Sequence, residues 1–453
     1  MVAKGHVRKG LPAAVLPRWS RIKASPLGYR LARGVFWSLV AAVASRALQL
    51  LTSIVTARVL GREAFGEFGM IQSTVGMFSV FGGFGLGLTA TKYVAEFRKT
   101  DPAKTGRMVG LSIYVAGMTG GFATVALGCC APLLASGTLA APQLRLPLQE
   151  SAPLLLLGAL SGAQTGALAG FEAFRVIARL NFVTGLIALP LSIAAVLAKG
   201  LDGAIWALVV STAVGCLLNQ RALRRQMGAD MVLRVPRIAA EWRVLWSFSL
   251  PAVLSGALVG PVNWVCASIL VNAPGGYAEL GVYNAANQWF GALLFVPSLL
   301  SQALQPVFAE RHSQRDFGSV RQVLVGSIQG LALLLIPVTA IACVSAPSLM
   351  AWYGADYRAH WPTLAYLLLA AAAFSCQAPV GAFVFGTGRA WLALLFTAGW
   401  AAAFVTGTLL WSPLGSEGLA AARLVAYSLN AVWCFGSAFK ILGAPTASPP
   451  RLS

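Results

Sequence analysis

Arg46 stands at the midpoint of the first long apolar stretch, residues 34–58. A guanidinium at the centre of a bilayer costs about 2.5–3.5 kcal/mol on insertion scales, so its presence there calls for a partner. At 100° per residue, Gln49, Ser53 and Thr56 fall within about 80° of Arg46 on one helical face. That face lines a water-filled cavity and meets a ligand, or else Arg46 bonds helix-end carbonyls and polar neighbours within the bundle. A second stripe comprises Asn284, Asn287, Gln288, Ser298, Gln302 and Gln305, which share roughly 100° of a straight helical wheel. Amides offer donors and acceptors together, which suits a hydroxyl-rich ligand; the alternative is polar packing between helices. Arg423, Tyr427 and Asn430 make a shorter stripe on the last apolar stretch. Arg423 joins Arg46, Gln49, Ser53 and the amides as a candidate substrate-binding residue, although its nearness to one membrane surface predicts that it snorkels there.

The acids inform by their absence. All fourteen Asp and Glu fall in predicted loops or near the ends of apolar stretches. A central guanidinium without a carboxylate favours an anionic ligand, and the planar fork of Arg suits phosphate. A simple proton relay through a buried acid is not expected, which leaves membrane potential or a sodium site of carbonyl oxygens as energy sources. Enzymatic readings fare poorly: Glu63 and Glu67 are the only loop carboxylates of catalytic type, and they read better as helix-end residues beside Gly66. No nucleotide-binding motif appears. Seven scattered cysteines lack metal spacing, and His6, His312 and His360 form no cluster, so no cofactor is expected.

The elements that carry these residues are dictated by composition. Of 453 residues, 57% are hydrophobic and 11% charged, against roughly 25% charged in soluble domains. Apolar stretches of membrane-spanning length recur throughout, predicting an all-α polytopic protein with spans near 34–58, 66–91, 107–130, 151–171, 180–198, 203–222, 246–271, 281–308, 322–345, 362–386, 390–411 and 417–440. The net charge of +20 sits in short loops, a topology signal rather than a nucleic-acid patch. Twenty-seven of the 34 Lys and Arg fall on one side of this map and five on the other, which predicts cytoplasmic termini. Residues 1–33 read as a basic cytoplasmic tail in contact with membrane lipids, and 441–453 as a second tail.

Short matches recur at offsets of 214 to 216: 63–68 with 278–283, Ala95-Glu96 with Ala309-Glu310, 166–170 with 382–386, and Asp202-Gly203 with Glu417-Gly418. They predict two six-helix lobes, 34–222 and 246–440, joined by a basic linker at 223–245 and related by an axis along the membrane normal.

Residues 34–98 resemble the amino-terminal region of bacterial polysaccharide-biosynthesis flippases, the Wzx-like branch of the MOP transporter superfamily. The resemblance is carried by Thr-Ala-Arg-Val-Leu-Gly-Arg-Glu-Ala-Phe-Gly-Glu-Phe at 56–68, Phe-Gly-Leu-Gly at 84–87, Lys92-Tyr93-Val94-Ala95, and Leu-Ala-Gly-Phe-Glu-Ala-Phe-Arg at 168–175. It implies a MATE-like fold working by alternating access on a polyprenyl-diphosphate-linked oligosaccharide, such as an O-antigen, capsule or exopolysaccharide repeat unit, in the bacterial inner membrane. A polysaccharide polymerase and export machinery would be its partners. Ser45-Arg46 resembles the Ser-Arg pair in the first helix of lipid II flippases, where the Arg faces the cavity. Their second cationic position falls on Thr52 here, which argues against a peptidoglycan precursor. On this resemblance Arg46 neutralises the diphosphate while Asn284, Gln288 and Gln302 meet sugar hydroxyls. A drug or small-metabolite exporter on the same fold is the alternative, and a membrane glycosyltransferase or ligase a third.

Overall fold

Lipid offers the backbone no hydrogen-bonding partner, so a chain that crosses it must satisfy each N–H and C=O internally, as a helix does. The computed structural model describes residues 26–83, 86–227, 258–314 and 316–443, and every regular element among them is helical. The expected basic tail up to residue 25, the linker from residue 228, the start of the seventh span up to 257 and the tail from 444 lie outside the described residues.

The first half comprises α1 (Pro26–Gly83), α2 (Leu86–Phe97), α3 (Pro102–Leu133), α4 (Arg145–Ser151), α5 (Pro153–Gly170) and α6 (Phe174–Gln226). The second comprises α7 (Val259–Val271), α8 (Gly276–Leu293), α9 (Phe295–Ser313), α10 (Phe317–Val344), α11 (Ala346–Ala351), α12 (Ala355–Arg358), α13 (Trp361–Gly386), α14 (Ala390–Trp411) and α15 (Gly415–Gly443). Among the described residues seven helical segments are long and apolar enough to span a membrane, or up to eight when α8 and α9, bent by 42°, count as one. Three of these segments are interrupted. In α1 the break is Gly61 (φ 76°, ψ 176°), in α6 it is Gly200 (φ 56°, ψ −126°), and α14 passes to α15 through Ser412–Leu414 and Gly415. Only glycine holds such backbone angles without strain. Divided at these breaks, and with short apolar α7 added, the helices are consistent with twelve crossings.

The repeat seen as faint sequence matches is explicit in the backbone. Left-handed Gly61 answers Gly275 (φ 69°), and Gly200 answers Gly415 (φ 63°). Asp101 caps α3 by accepting from the Lys104 N–H at 2.8 Å, and Asp316 caps α10 by accepting from the Ser319 N–H at 3.0 Å. A Cβ on Gly203 would lie 1.9 Å from the Ala195 carbonyl oxygen, and one on Gly418 would lie 1.9 Å from that of Trp411. Each half therefore folds a helix pair back at its fifth turn with carbonyl and glycine in contact, the close approach that lipid-embedded helices rely on for packing. Gly203→Leu is expected to lower the thermal midpoint in detergent sharply, since overpacking against rigid backbone costs about 1–3 kcal/mol or more. Gly121→Leu, where a Cβ meets nothing within 4 Å, is the comparison that should melt near wild type.

A reciprocal contact joins the lobes beside the Gly61 and Gly275 turns. A Cβ on Gly66 would fall 1.8 Å from the Tyr277 carbonyl oxygen, and one on Gly281 would fall 2.0 Å from that of Arg62. Residues 62 and 277, like 66 and 281, are repeat-equivalent, so the contact straddles the axis relating the halves. Around it, the Asn272 amide donates to the Thr138 carbonyl at 2.8 Å and the Tyr277 hydroxyl to that of Leu139 at 2.9 Å. Arg62 Nη1 and His360 Nε2 lie 2.7 Å apart. The bundle is thus drawn together at the end bearing the Gly61 and Gly275 turns. The opposite end carries the Lys- and Arg-rich connections.

Candidate functional site

Between the lobes lies a cavity of about 590 Å³, lined from both halves. Helix α1 contributes Gln49, Ser53 and Thr56 from the arm before Gly61, and Gln72 and Ser73 from the arm after it. From α8 come Tyr283, Asn284, Asn287 and Gln288, and from α15 comes Arg423. A second compartment of about 330 Å³ adjoins it toward the basic end and shares Gln49; Arg46, Asn181 and Ser298 line this annex. Among the described residues, neither compartment has an Asp or Glu in its wall.

Six of the expected residues, Gln49, Ser53, Asn284, Asn287, Gln288 and Arg423, therefore surround the main cavity, and Arg46 stands in its annex. Gln302 and Gln305 are exposed and line neither. The wheel that placed them with Asn284 presumes a straight helix, whereas the 42° bend between α8 and α9 carries them off that face.

Arg423 also departs from expectation: it does not snorkel. Only 7% exposed, it donates from Nη1 to the Tyr283 hydroxyl at 2.9 Å and to Asn287 Oδ1 at 2.8 Å. Its guanidinium carbon lies 3.9 Å over the Phe290 ring, a cation–π contact worth about 2 kcal/mol where water is excluded. Half-buried Arg46 donates to Gln49 Oε1 at 3.1 Å and to the Gln288 carbonyl oxygen at 3.4 Å. The two membrane-embedded guanidiniums are thus tethered to adjacent residues of one helix, Asn287 and Gln288.

Hydrogen-bonding capacity is left over, and it is mostly of one kind. Arg46 Nε, Arg423 Nε and Asn284 Nδ2 are buried donors without a partner in the protein, as is the Ser53 hydroxyl oxygen. Two cations and several amides, with no carboxylate among the described wall residues, complement an oxygen-rich anion. Asn284 reaches this position because its repeat-equivalent, Gly69, has no side chain: a Cβ there would lie 1.7 Å from Asn284 Nδ2.

Sequence reasoning missed Tyr283, Gln72 and Ser73. The repeat itself held the signal for the latter two, which lie 215 residues before Asn287 and Gln288. Tyr283 closes the stretch 278–283, which was read only as a repeat match to 63–68.

Comparison with known proteins agrees with this architecture. The EPS I polysaccharide export inner membrane protein EpsE of Ralstonia solanacearum is 28% identical over 203 residues, which cover 43% of this chain and 44% of that protein. The succinoglycan biosynthesis transport protein ExoT of Rhizobium meliloti is 24% identical over 348 residues, covering 74% of this chain and 65% of the relative. The chain thus spans less than half of the first relative's length and just under two thirds of the second's. A solved inward-facing multidrug resistance MATE family transporter of the MOP superfamily superposes with a TM-score of 0.75 at 17% identity, covering 88% of this chain and 96% of the other; that likeness establishes the fold. The profile of polysaccharide biosynthesis proteins matches residues 31–312, more than half of the sequence. This multi-pass, MATE-fold chain belongs to the polysaccharide biosynthesis protein family.

Proposed function

We propose that the protein is a flippase, not an enzyme, that turns a polyprenyl-diphosphate-linked oligosaccharide from the inner to the outer leaflet of the bacterial inner membrane by alternating access. The observation that carries this reading is the inter-lobe cavity with Arg46, Arg423 and a set of amides, and with no carboxylate among its described wall residues. The names of the polysaccharide-export relatives support it. The lobes are residues 34–222 and 246–440, with both termini and the basic end in the cytoplasm, as the distribution of Lys and Arg favours. On that orientation the described state is closed toward the outside by the Gly66–Gly281 contact.

The substrate enters through the annex, where Arg46 meets the diphosphate. Asn284, Asn287 and Gln288 meet sugar hydroxyls in the main cavity, and Arg423 stands deeper as a second anion contact. The polyprenyl chain stays in lipid, trailing between the lobes. A polysaccharide polymerase and export machinery would take the product onward.

A fluorescent polyprenyl-diphosphate oligosaccharide in proteoliposomes tests this. Wild type should translocate it, and Arg46→Ala should lower the rate about 10- to 100-fold, the worth of one desolvated charge-assisted bond. Arg46→Lys should fall between, keeping the charge and losing the fork. Wild-type protein that exports small cationic dyes and moves none of several such glycolipids would instead favour the exporter that the fold also accommodates.

A further inference from the structure

At the end closed by the Gly66–Gly281 contact, one bond between the lobes joins side chains of which one can change its charge. Arg62 follows the Gly61 turn of the first lobe, and its Nη1 lies 2.7 Å from Nε2 of His360 in the second. Arg62 thus holds the second lobe twice, since its carbonyl oxygen is the one against which Gly281 packs. A guanidinium carries donors only and keeps its charge throughout the physiological range. The bond therefore requires His360 Nε2 as an acceptor, which is the neutral imidazole with its proton on Nδ1.

Histidine is the side chain that ordinarily changes charge between pH 5 and 8. Protonation turns Nε2 into a donor, so the bond to Arg62 is lost and two cations face each other in its place. His360 also caps the start of α13, where a positive charge meets the positive end of the helix. Each of these changes acts against closure. Around the start of α13 the other charged or titratable groups are Glu63 on α1, Glu279 on α8, Asp356, Tyr357 and Arg358 on α12, and Glu417 on α15. Carboxylic acids and arginine ordinarily titrate outside pH 5 to 8, and burial pushes the Tyr357 hydroxyl further above its own range. Glu279 accepts from the Ser416 N–H at 2.8 Å, within the second lobe. Asp356 and Glu417 share that lobe with His360, so a charged imidazole that turns to either leaves the lobes unjoined. Glu63 is the acid on the opposite lobe; a charged imidazole that moved to it would keep them joined.

We propose that Arg62 and His360 form a pH-sensitive latch, which holds this end shut while His360 is neutral and releases it when His360 takes up a proton from the compartment it faces. That this compartment is the outside rests on the orientation proposed above; the latch itself needs no transported substrate.

Electron–electron resonance distances in lipid nanodiscs test this. Lys199 and Leu414 are repeat-equivalent and exposed, one on each lobe just before the Gly200 and Gly415 turns. Spin labels on Lys199→Cys and Leu414→Cys, in a background without other cysteines, report the separation of the lobes at this end. The protein is labelled once and read without glycolipid near pH 7.5 and again near pH 5.5. The ratio of closed to open distances should fall at least about fivefold in acid and recover on return. His360→Gln keeps an acceptor for Arg62 and takes up no proton, so it should stay closed at both. His360→Lys, charged at both, should be shifted open at both. Arg62→Gln removes the fixed charge and should lose most of the response. Wild-type distances that ignore pH would overturn the proposal, as would His360→Gln or Arg62→Gln opening in acid as wild type does. A failure of glycolipid transport would leave these distances standing, and distances that ignore pH would leave the flippase reading standing.

Discussion

Gly281→Ala is expected to hold the two lobes apart at the Gly61 end and to stop the transport cycle there. The added Cβ would stand 2.0 Å from the Arg62 carbonyl oxygen, and the same change at Gly66 would set one 1.8 Å from the oxygen of Tyr277. Both obstacles are backbone, so neither can swing aside as a side chain would. Overpacking of this kind costs about 1–3 kcal/mol or more, while the two states of an alternating protein differ by only a few kcal/mol. The closed end would therefore lose population by a factor of about 5 to 150. Thr138→Cys with Asn272→Cys, in a background without other cysteines, reports on this end, because the native pair is joined by a 2.8 Å hydrogen bond. A short bismaleimide should link the two positions efficiently in the parent and at least about fivefold less with Gly281→Ala added, and transport should fall in step. Unchanged cross-linking together with unchanged transport would remove the glycine contact from the gate.

Arg423→Met should uncouple stability from activity. The guanidinium is nearly enclosed, with Tyr283, Asn287 and the face of Phe290 around it and no carboxylate among the described residues of the cavity wall. Burying an ion costs several kcal/mol after relaxation, and neutral partners recover only part of this. A methionine of similar length restores the apolar contact with Phe290 and removes the charge. The variant should melt at or above the wild-type temperature while glycolipid transport drops at least about tenfold, the trade expected of a group kept for its ligand. Added polyprenyl diphosphate should raise the thermal midpoint of wild type clearly more than that of the variant, which keeps only the Arg46 contact. A variant that melts lower and still transports would make Arg423 a structural tie between α8 and α15.

Lipid makes helices legible. Because hydrocarbon forbids unpaired backbone, runs of apolar residues announced the spans, whereas the left-handed glycine turns and the caps at Asp101 and Asp316 emerged only in the structure. The cavity was legible wherever a polar stripe stayed on one straight helix, as from Asn284 to Gln288. It failed at Gln302 and Gln305, farther along α9, since a wheel carries no record of a 42° bend. For Arg423 the error lay in the choice of water: the membrane surface was taken as the nearest polar surroundings, when the space between lobes brought Tyr283 and Asn287 closer. No local pattern around residue 423 encodes partners 136 and 140 positions away. The repeat could have supplied Gln72 and Ser73, had the offset that aligned the loops been carried into the spans.

Gly69 and Asn284 occupy equivalent places in the two halves, yet one is empty so that the other can be full. Two identical six-helix chains meeting about the same axis would have no such freedom. Asparagine in both would collide, and glycine in both would leave a gap with no amide for a ligand. Joining the copies into one polypeptide lets each evolve as the complement of its twin. The closing contact at Gly66 and Gly281 still has the form of an ancestral symmetric handshake, while one step further along the same helices the halves have divided their labour.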